Sequence, residues 1–181
     1  RTPASGPRGY AYRHSSYRGM SGRSNGHKNV SNGGWWDGWE FGKLPGRWKG
    51  IFHIVGNHSK IRGCETFSSI IDGASTTFAV GELHLPVEKK DRGTFWAYSY
   101  TSYNKSGATP YSGMLHTHKW QECVATVPTD NICKRGWGSY HPGGINFALC
   151  DGSVHFIPET VDMEMFQRMA TIAGGKEVFM P

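Results

Sequence analysis

The chain has 181 residues, 37% hydrophobic and 13% aromatic, with 25 Gly, four Cys and a formal charge of +6 from 20 Lys+Arg against 14 Asp+Glu. That length suits one domain and excludes a multi-domain machine. No run approaches the ~18 consecutive apolar residues of a membrane helix, and the start, Arg1-Thr2-Pro3-Ala4-Ser5-Gly6-Pro7, lacks the layout of a signal peptide. Opening on Arg rather than Met, the chain reads as a processed product or a fragment.

The charge is uneven. Residues 1–63 carry 11 Lys/Arg and two acids, Asp37 and Glu40, whereas residues 64–181 carry 9 basic and 12 acidic residues. A basic arm of this kind meets nucleic acid, an anionic surface or an acidic partner; the plainer reading is a charged Gly/Ser/Arg-rich loop folded over a sheet. Arg8, Arg13, Arg18 and Arg23 fall five apart, which matches neither the helical nor the strand period. Residues 1–63 are therefore expected to be a basic Gly/Ser/Tyr/Trp-rich segment laid onto a head formed by residues 64–181, one domain overall.

Residues 1–34 hold almost no aliphatic side chains apart from Met20 and Val30, so any order must come from docking Tyr10, Tyr12 and Tyr17 onto a core built elsewhere. Their alternation with polar residues resembles a short edge strand. Trp35, Trp36 and Trp39 then crowd three indoles into five residues, either as an exposed platform for sugar rings or as core anchors, and anchoring is the commoner fate of Trp. Ile51-Phe52-His53-Ile54-Val55 between two glycines predicts a strand, Asp72-Gly73 a turn, residues 77–83 a central strand and residues 94–100 a third. Residues 101–138 show little periodicity and read as an elaborated surface loop. Near the end, Asp162 is a candidate N-cap, Met165, Phe166, Met169 and Ile172 share a helix face, and Gly174 suits a left-handed C-cap. Residues 176–179 complete the reading as a last short strand.

The segment from His141 to Ile157 is a predicted hairpin. Asp151-Gly152 between two alternating runs signals a two-residue type I′ turn. Counting outward pairs Leu149 with Val154 and Phe147 with Phe156, an apolar face for the following helix to cover. Cys150, Ser153, Ala148, His155 and Asn146 fall on the other face.

This stretch, Ser-Tyr-His-Pro-Gly-Gly-Ile-Asn-Phe-Ala-Leu-Cys-Asp-Gly-Ser-Val-His-Phe-Ile, resembles the prepilin-type processing-associated His-x(9)-Asp-Gly family, planctomycete pilin-like or pseudopilin-like proteins of uncharacterised function. Residues 67–82, from Phe67 through Asp72-Gly73 to Glu82, and residues 169–178 resemble two further family segments, with Thr76 where Asn is usual and Lys176 inserted before Glu177. The resemblance implies motif roles for His141, Gly143, Gly144, Asp151, Gly152, Asp72, Gly73 and Glu82. It also implies an α+β, β-rich, pilin-like head: a twisted antiparallel sheet, long irregular loops and a C-terminal helix on the sheet. The implied setting is extracytoplasmic, at the cell surface or secreted, with self-assembly driven by an N-terminal helix that this chain lacks.

Glu82, His141 and Asp151 form the one tempting constellation: with the 77–83 strand beside the hairpin, carboxylate and imidazole meet at the strand ends, and the carboxylate oxygens suit Ca²⁺. Its plainer reading is structural, since Asp151 and Asp72 each precede a glycine at a turn. The cysteines at 64, 123, 133 and 150 lack zinc spacing; Cys123–Cys133 is the expected bridge, leaving Cys64–Cys150 as the second pair. His116 and His118 stand two apart, a pairing that chance explains among nine histidines. No nucleophile elbow, zincin, dinucleotide or Walker motif occurs. The expected function is a non-enzymatic structural subunit without a cofactor, partnered by copies of itself or related subunits. The rival is an extracellular module for glycans or anionic polymers, and nucleic-acid binding lacks a recognition signature.

Overall fold

The computed structural model describes residues 2–3, 6, 9–25, 34–38, 44–55, 63–84, 93–100, 103–111, 115–117, 119–127 and 130–175. Its strands are β1 (His14–Ser15), β2 (Tyr17–Arg23), β3 (Phe78–Glu82), β4 (Thr94–Phe95), β5 (Lys105–Ala108), β6 (Leu115–Thr117), β7 (Trp137–Ser139), β8 (Gly144–Leu149) and β9 (Val154–Pro158). The helices are α1 (Trp120–Thr126), α2 (Asp130–Lys134) and α3 (Met163–Met169). The fold is α+β and β-rich. Its main sheet runs β5-β2-β3-β8-β9, with small β1-β4 and β6-β7 sheets beside it.

β3 is central, as the β-branched and aromatic run 77–83 predicts. The sheet is mixed rather than antiparallel throughout, because β5 lies parallel to β2 while the other neighbours are antiparallel. One face packs on the core. Phe78, Phe147 and Phe166 meet there with ring centroids 4.5–5.5 Å apart, and Trp137 lies 5.0 Å from Phe147. Such pairs contribute about 0.5–1.5 kcal/mol each beyond their buried area. Gly81 makes room for them, since a Cβ there would fall 2.3 Å from the Phe147 ring.

α3 starts as expected: the Asp162 carboxylate accepts from the Met165 N–H at 2.8 Å, satisfying an otherwise orphaned donor. It buries Phe166 and Met169 and leads to buried Ile172, while Met165 stays half-buried. The left-handed glycine beyond it is Gly175, φ 77°, rather than Gly174. The expected 176–179 strand lies outside the described residues.

Four expectations are corrected. Part of the N-terminal segment lies within the sheet rather than over it or at its edge: β2 is an interior strand, between β5 and β3. Glycines allow close neighbours on it, since a Cβ on Gly107 of β5 would lie 2.9 Å from Gly22 O and one on Gly22 2.4 Å from the Gly50 nitrogen. Tyr10 and Tyr17 stay exposed, and only Tyr12 docks, 4.8 Å from Tyr98. Residues 51–55 form no strand: Phe52 donates to Met20 O and Ile54 to Trp36 O, two separate partners that build no ladder. Of residues 94–100 only Thr94–Phe95 is strand, and turns follow with Ala97 at φ 60°. Residues 101–138 are not surface loop. They supply β5, β6, β7, α1 and α2 and bury Leu115, Trp120, Ile132 and Trp137 in the main core.

The hairpin exists with a different turn. Leu149 N–H donates to Ser153 O and Gly152 N–H to Leu149 O, so three residues, Cys150, Asp151 and Gly152, form the loop. Only Gly152 has positive φ, 88°, the pattern of a type I turn followed by a left-handed glycine. The register shifts by one: Ala148 faces Val154, Phe147 faces His155 and Asn146 faces Phe156. Every β9 side chain thereby changes face. Val154 and Phe156 point to solvent, 65% and 50% exposed, instead of lying under the helix.

Candidate functional site

The three segments that resemble family motifs meet in one place. The Asp72 carboxylate accepts from Gly174 N–H at 2.5 Å, Gly175 N–H at 3.0 Å and the Thr171 hydroxyl at 3.1 Å. Ile172 O accepts the Ile71 and Asp72 N–H groups, closing the clasp from the other side. Thr76 and Thr77 hydroxyls both donate to Gly73 O. The hairpin tip joins this knot, with Cys150 N–H donating to Thr77 O and Asp151 N–H to Ala74 O. Asp151 turns its side chain inward on the loop, accepting from the Ser153 N–H at 2.9 Å and hydroxyl at 2.7 Å. Those bonds hold its carboxyl below the ordinary range. Asp72, Gly73, Asp151 and Gly152 therefore shape backbone.

Glu82 and His141 do come together. His141 Nε2 lies 3.4 Å from Glu82 Oε1, and Glu82 Oε2 accepts the Asn146 N–H at 2.8 Å. The imidazole is exposed and the carboxylate half-buried. Gly143 supplies positive φ, 78°, just before β8, and Gly144 lets the Phe156 ring lie over the strand, since a Cβ there would fall 2.5 Å from Phe156 Cζ. Asp151 does not join the pair. The six residues of β8 separate it from His141, a rise of about 20 Å at roughly 3.3 Å per residue. Among the described residues no three His, Cys, Asp or Glu side chains converge as a metal site, so the Ca²⁺ expectation for Glu82, His141 and Asp151 has no ligand set.

Of the two readings of the indoles, core anchoring is the one that the described pair follows, and the platform is corrected. Trp35 and Trp36 are 2% and 1% exposed, and Trp39 lies outside the described residues. The Arg135 guanidinium sits 4.9 Å over the Trp35 ring while donating to Asp37 Oδ1 at 3.1 Å. Arg18, fully buried, donates to the Thr94 hydroxyl at 2.8 Å, the Ser106 hydroxyl at 2.9 Å and Lys134 O at 2.5 Å. Burial lowers its pKa to about 9, against the pull of Asp37, so it stays protonated at neutral pH. Sequence reading missed this role, because basic residues in a Gly/Ser-rich run look solvated; the hydroxyl and carbonyl partners lie 76 to 116 residues away. His116, the described member of the His pair, is buried near Trp120 with its pKa lowered to about 4, chiefly by burial. His118 is outside the described residues.

Cys123 and Cys133 form the expected disulfide, joining α1 to α2. The second pair does not form: Cys64 is free and exposed, and Cys150 is free at the hairpin tip, its thiol raised to about 11 by burial and by the Asp151 charge.

What remains is the open face of the main sheet. Register places Lys105, Gly19, Val80, Ala148 and Val154 in one row across it. Tyr17 beside Glu82 and Asn146 beside Phe156 continue a second row. The row ends at β9, an edge strand. Gly143/Glu159 and Leu149/Ser153 bonds bracket the β8-β9 ladder, so the alternation directs the N–H and C=O groups of Val154 and Phe156 away from β8, toward the edge that no other described strand pairs.

Fold and site together define a β-rich α+β protein with a five-stranded mixed sheet, a disulfide and buried charged residues. Among the described residues no helix is long and apolar enough to cross a membrane. The family model described as "Protein of unknown function (DUF1559)", SBP_bac_10, matches residues 4–164, and the chain belongs to that family. Comparison with curated proteins and with solved structures gives no match.

Proposed function

We propose that the chain is a non-enzymatic, extracytoplasmic structural subunit, the head of a pilin-like protein that associates with copies of itself or related subunits through the β9 edge. The observation that carries this reading is the outward-facing pair Val154 and Phe156 on an edge strand. Soluble monomers blunt such edges with charge, proline or cover; among the described residues only Pro158 interrupts the line of donors. The polar motif residues bind backbone or one another, as expected of a scaffold. The Cys123–Cys133 bridge suits an oxidising compartment, and the resemblance of residues 67–82 and 139–157 to pilin-like proteins points the same way. The rival glycan module loses Trp35 and Trp36, its two described platform residues, to the core.

The test is sedimentation and electron microscopy of the full gene product, with any upstream segment restored, against the Val154→Lys/Phe156→Lys double variant. Filaments or concentration-dependent oligomers are expected for the wild type and their loss in the variant. A wild type that stays monomeric at high concentration, or a variant that assembles equally well, contradicts the reading.

A further inference from the structure

At the β5-β2 end of the open face, away from β9, lies a cleft of about 580 Å³, within the size range of small-molecule sites. Gly19 and Val80 line it from the sheet, Tyr17 and Phe52 contribute its aromatic surface, and Asn104 and Lys105 supply its polar side. The glycine is required for the depth, because a Cβ at Gly19 would lie 2.9 Å from the Phe52 ring.

Charge selects the ligand. At the far end Glu65 is already neutralised, 2.5 Å from Lys49 Nζ and 2.7 Å from His53 Nε2. Burial alone would raise its carboxyl, yet the hydrogen bonds from Lys49, Ser69 and His53 bring it down to about 2. Lys105 is the opposite case. Its ammonium donates to Asn104 Oδ1 at 2.9 Å, and no described carboxylate forms a salt bridge with it. Its stem is half-buried, and burial lowers its pKa with only the Asp37 charge opposing. A cation here would meet Lys105 with Glu65 already committed. A neutral ligand would leave a partly desolvated ammonium with no counter-charge but that of Asp37, which is already paired with Arg135.

We propose that this cleft binds a small amphiphilic monoanion: an aromatic or branched aliphatic body against Tyr17 and Phe52, its carboxylate on Lys105 Nζ and the Asn104 amide N–H. The site is independent of the assembly reading, since β9 contributes nothing to it.

The experiment is an amide-resolved NMR titration of the protein with 3-phenylpropionate and with its uncharged amide, 3-phenylpropanamide. The carboxylate gives saturable shifts at Gly19, Val80 and Asn104, and the amide binds about tenfold or more weakly, the loss expected for one charge-assisted hydrogen bond. Lys105→Met weakens the carboxylate to the same degree with an unchanged urea midpoint. Val80→Trp, which fills the cleft and keeps the ammonium, abolishes the shifts. No saturable shift at those amides up to about 10 mM, equal affinity for acid and amide, or full binding by Val80→Trp overturns the proposal.

Discussion

Asp72 holds Gly174 across 102 residues of sequence, its Oδ2 accepting the glycine N–H while Oδ1 takes that of Gly175. One carboxylate thereby fixes the loop after α3 to the turn before β3. Asp72→Ala removes the acceptor of both glycine N–H groups, while the Thr171 hydroxyl keeps Arg168 O at 2.9 Å, for a loss of about 1–3 kcal/mol in urea unfolding. Asp72→Asn, which keeps one oxygen acceptor, loses less. Asp151→Ala, whose partners sit at an exposed tip, loses less than Asp72→Ala; a reversed order would refute the clasp.

Two glycines separate backbone strain from crowding. A Cβ at Gly152 meets nothing within 4 Å, and the cost of Gly152→Ala is the φ of 88° alone, about 1–2 kcal/mol. Gly81 has no positive φ, but its Cβ would collide with Phe147 and Trp137. Overpacking of this kind costs about 1–3 kcal/mol or more, and it should also perturb the near-ultraviolet signal of Trp137. Gly152→Ala should leave that signal unchanged.

His116 sets a pH window. Its folded pKa of about 4 lies below the ordinary 6.5, so between those values the unfolded chain binds the extra proton. Stability is complete above about 6.5 and falls as pH drops to about 4, by up to roughly 3 kcal/mol. Urea midpoints measured across this window should fall in the wild type and flatten in His116→Phe. Glu65, held down to about 2, contributes a separate loss at lower pH, below about 4.5.

The thiols divide by reactivity. Native protein treated with iodoacetamide should gain one adduct quickly, at exposed Cys64, and a second only slowly, because the Cys150 thiolate is scarce with a pKa of about 11. Equal rates by mass spectrometry contradict this placement. Reducing Cys123–Cys133, which closes a separation of 10 residues, should cost about 2–3 kcal/mol.

Local chemistry was legible in the sequence where it acts over a few residues. Asp162 caps α3, Asp151-Gly152 turns the hairpin, residues 77–83 give the central strand, and the 123–133 spacing forms the bridge. Of the Glu82, His141 and Asp151 constellation, Glu82 and His141 lie 3.4 Å apart, and Asp151 does not join them. What failed depends on distant partners. Arg18 and Ser21 are buried because β2 enters the sheet between β5 and β3, and no local period announces that. The choice between a two- and a three-residue hairpin loop turned on whether Asp151 adopts positive φ, and it does not. That single residue of register decides whether Phe156 is core or surface.

The β9 edge, unpaired among the described strands, is the centre of this account, and amide hydrogen exchange tests it most directly. On assembly of the full gene product, the Val154 and Phe156 N–H groups should gain protection, while those of His155 and Ile157, already bonded to β8, should change little. Unchanged exchange at Val154 and Phe156 in assembled material, or no assembled material at any concentration, would contradict the assignment of β9 as the contact edge.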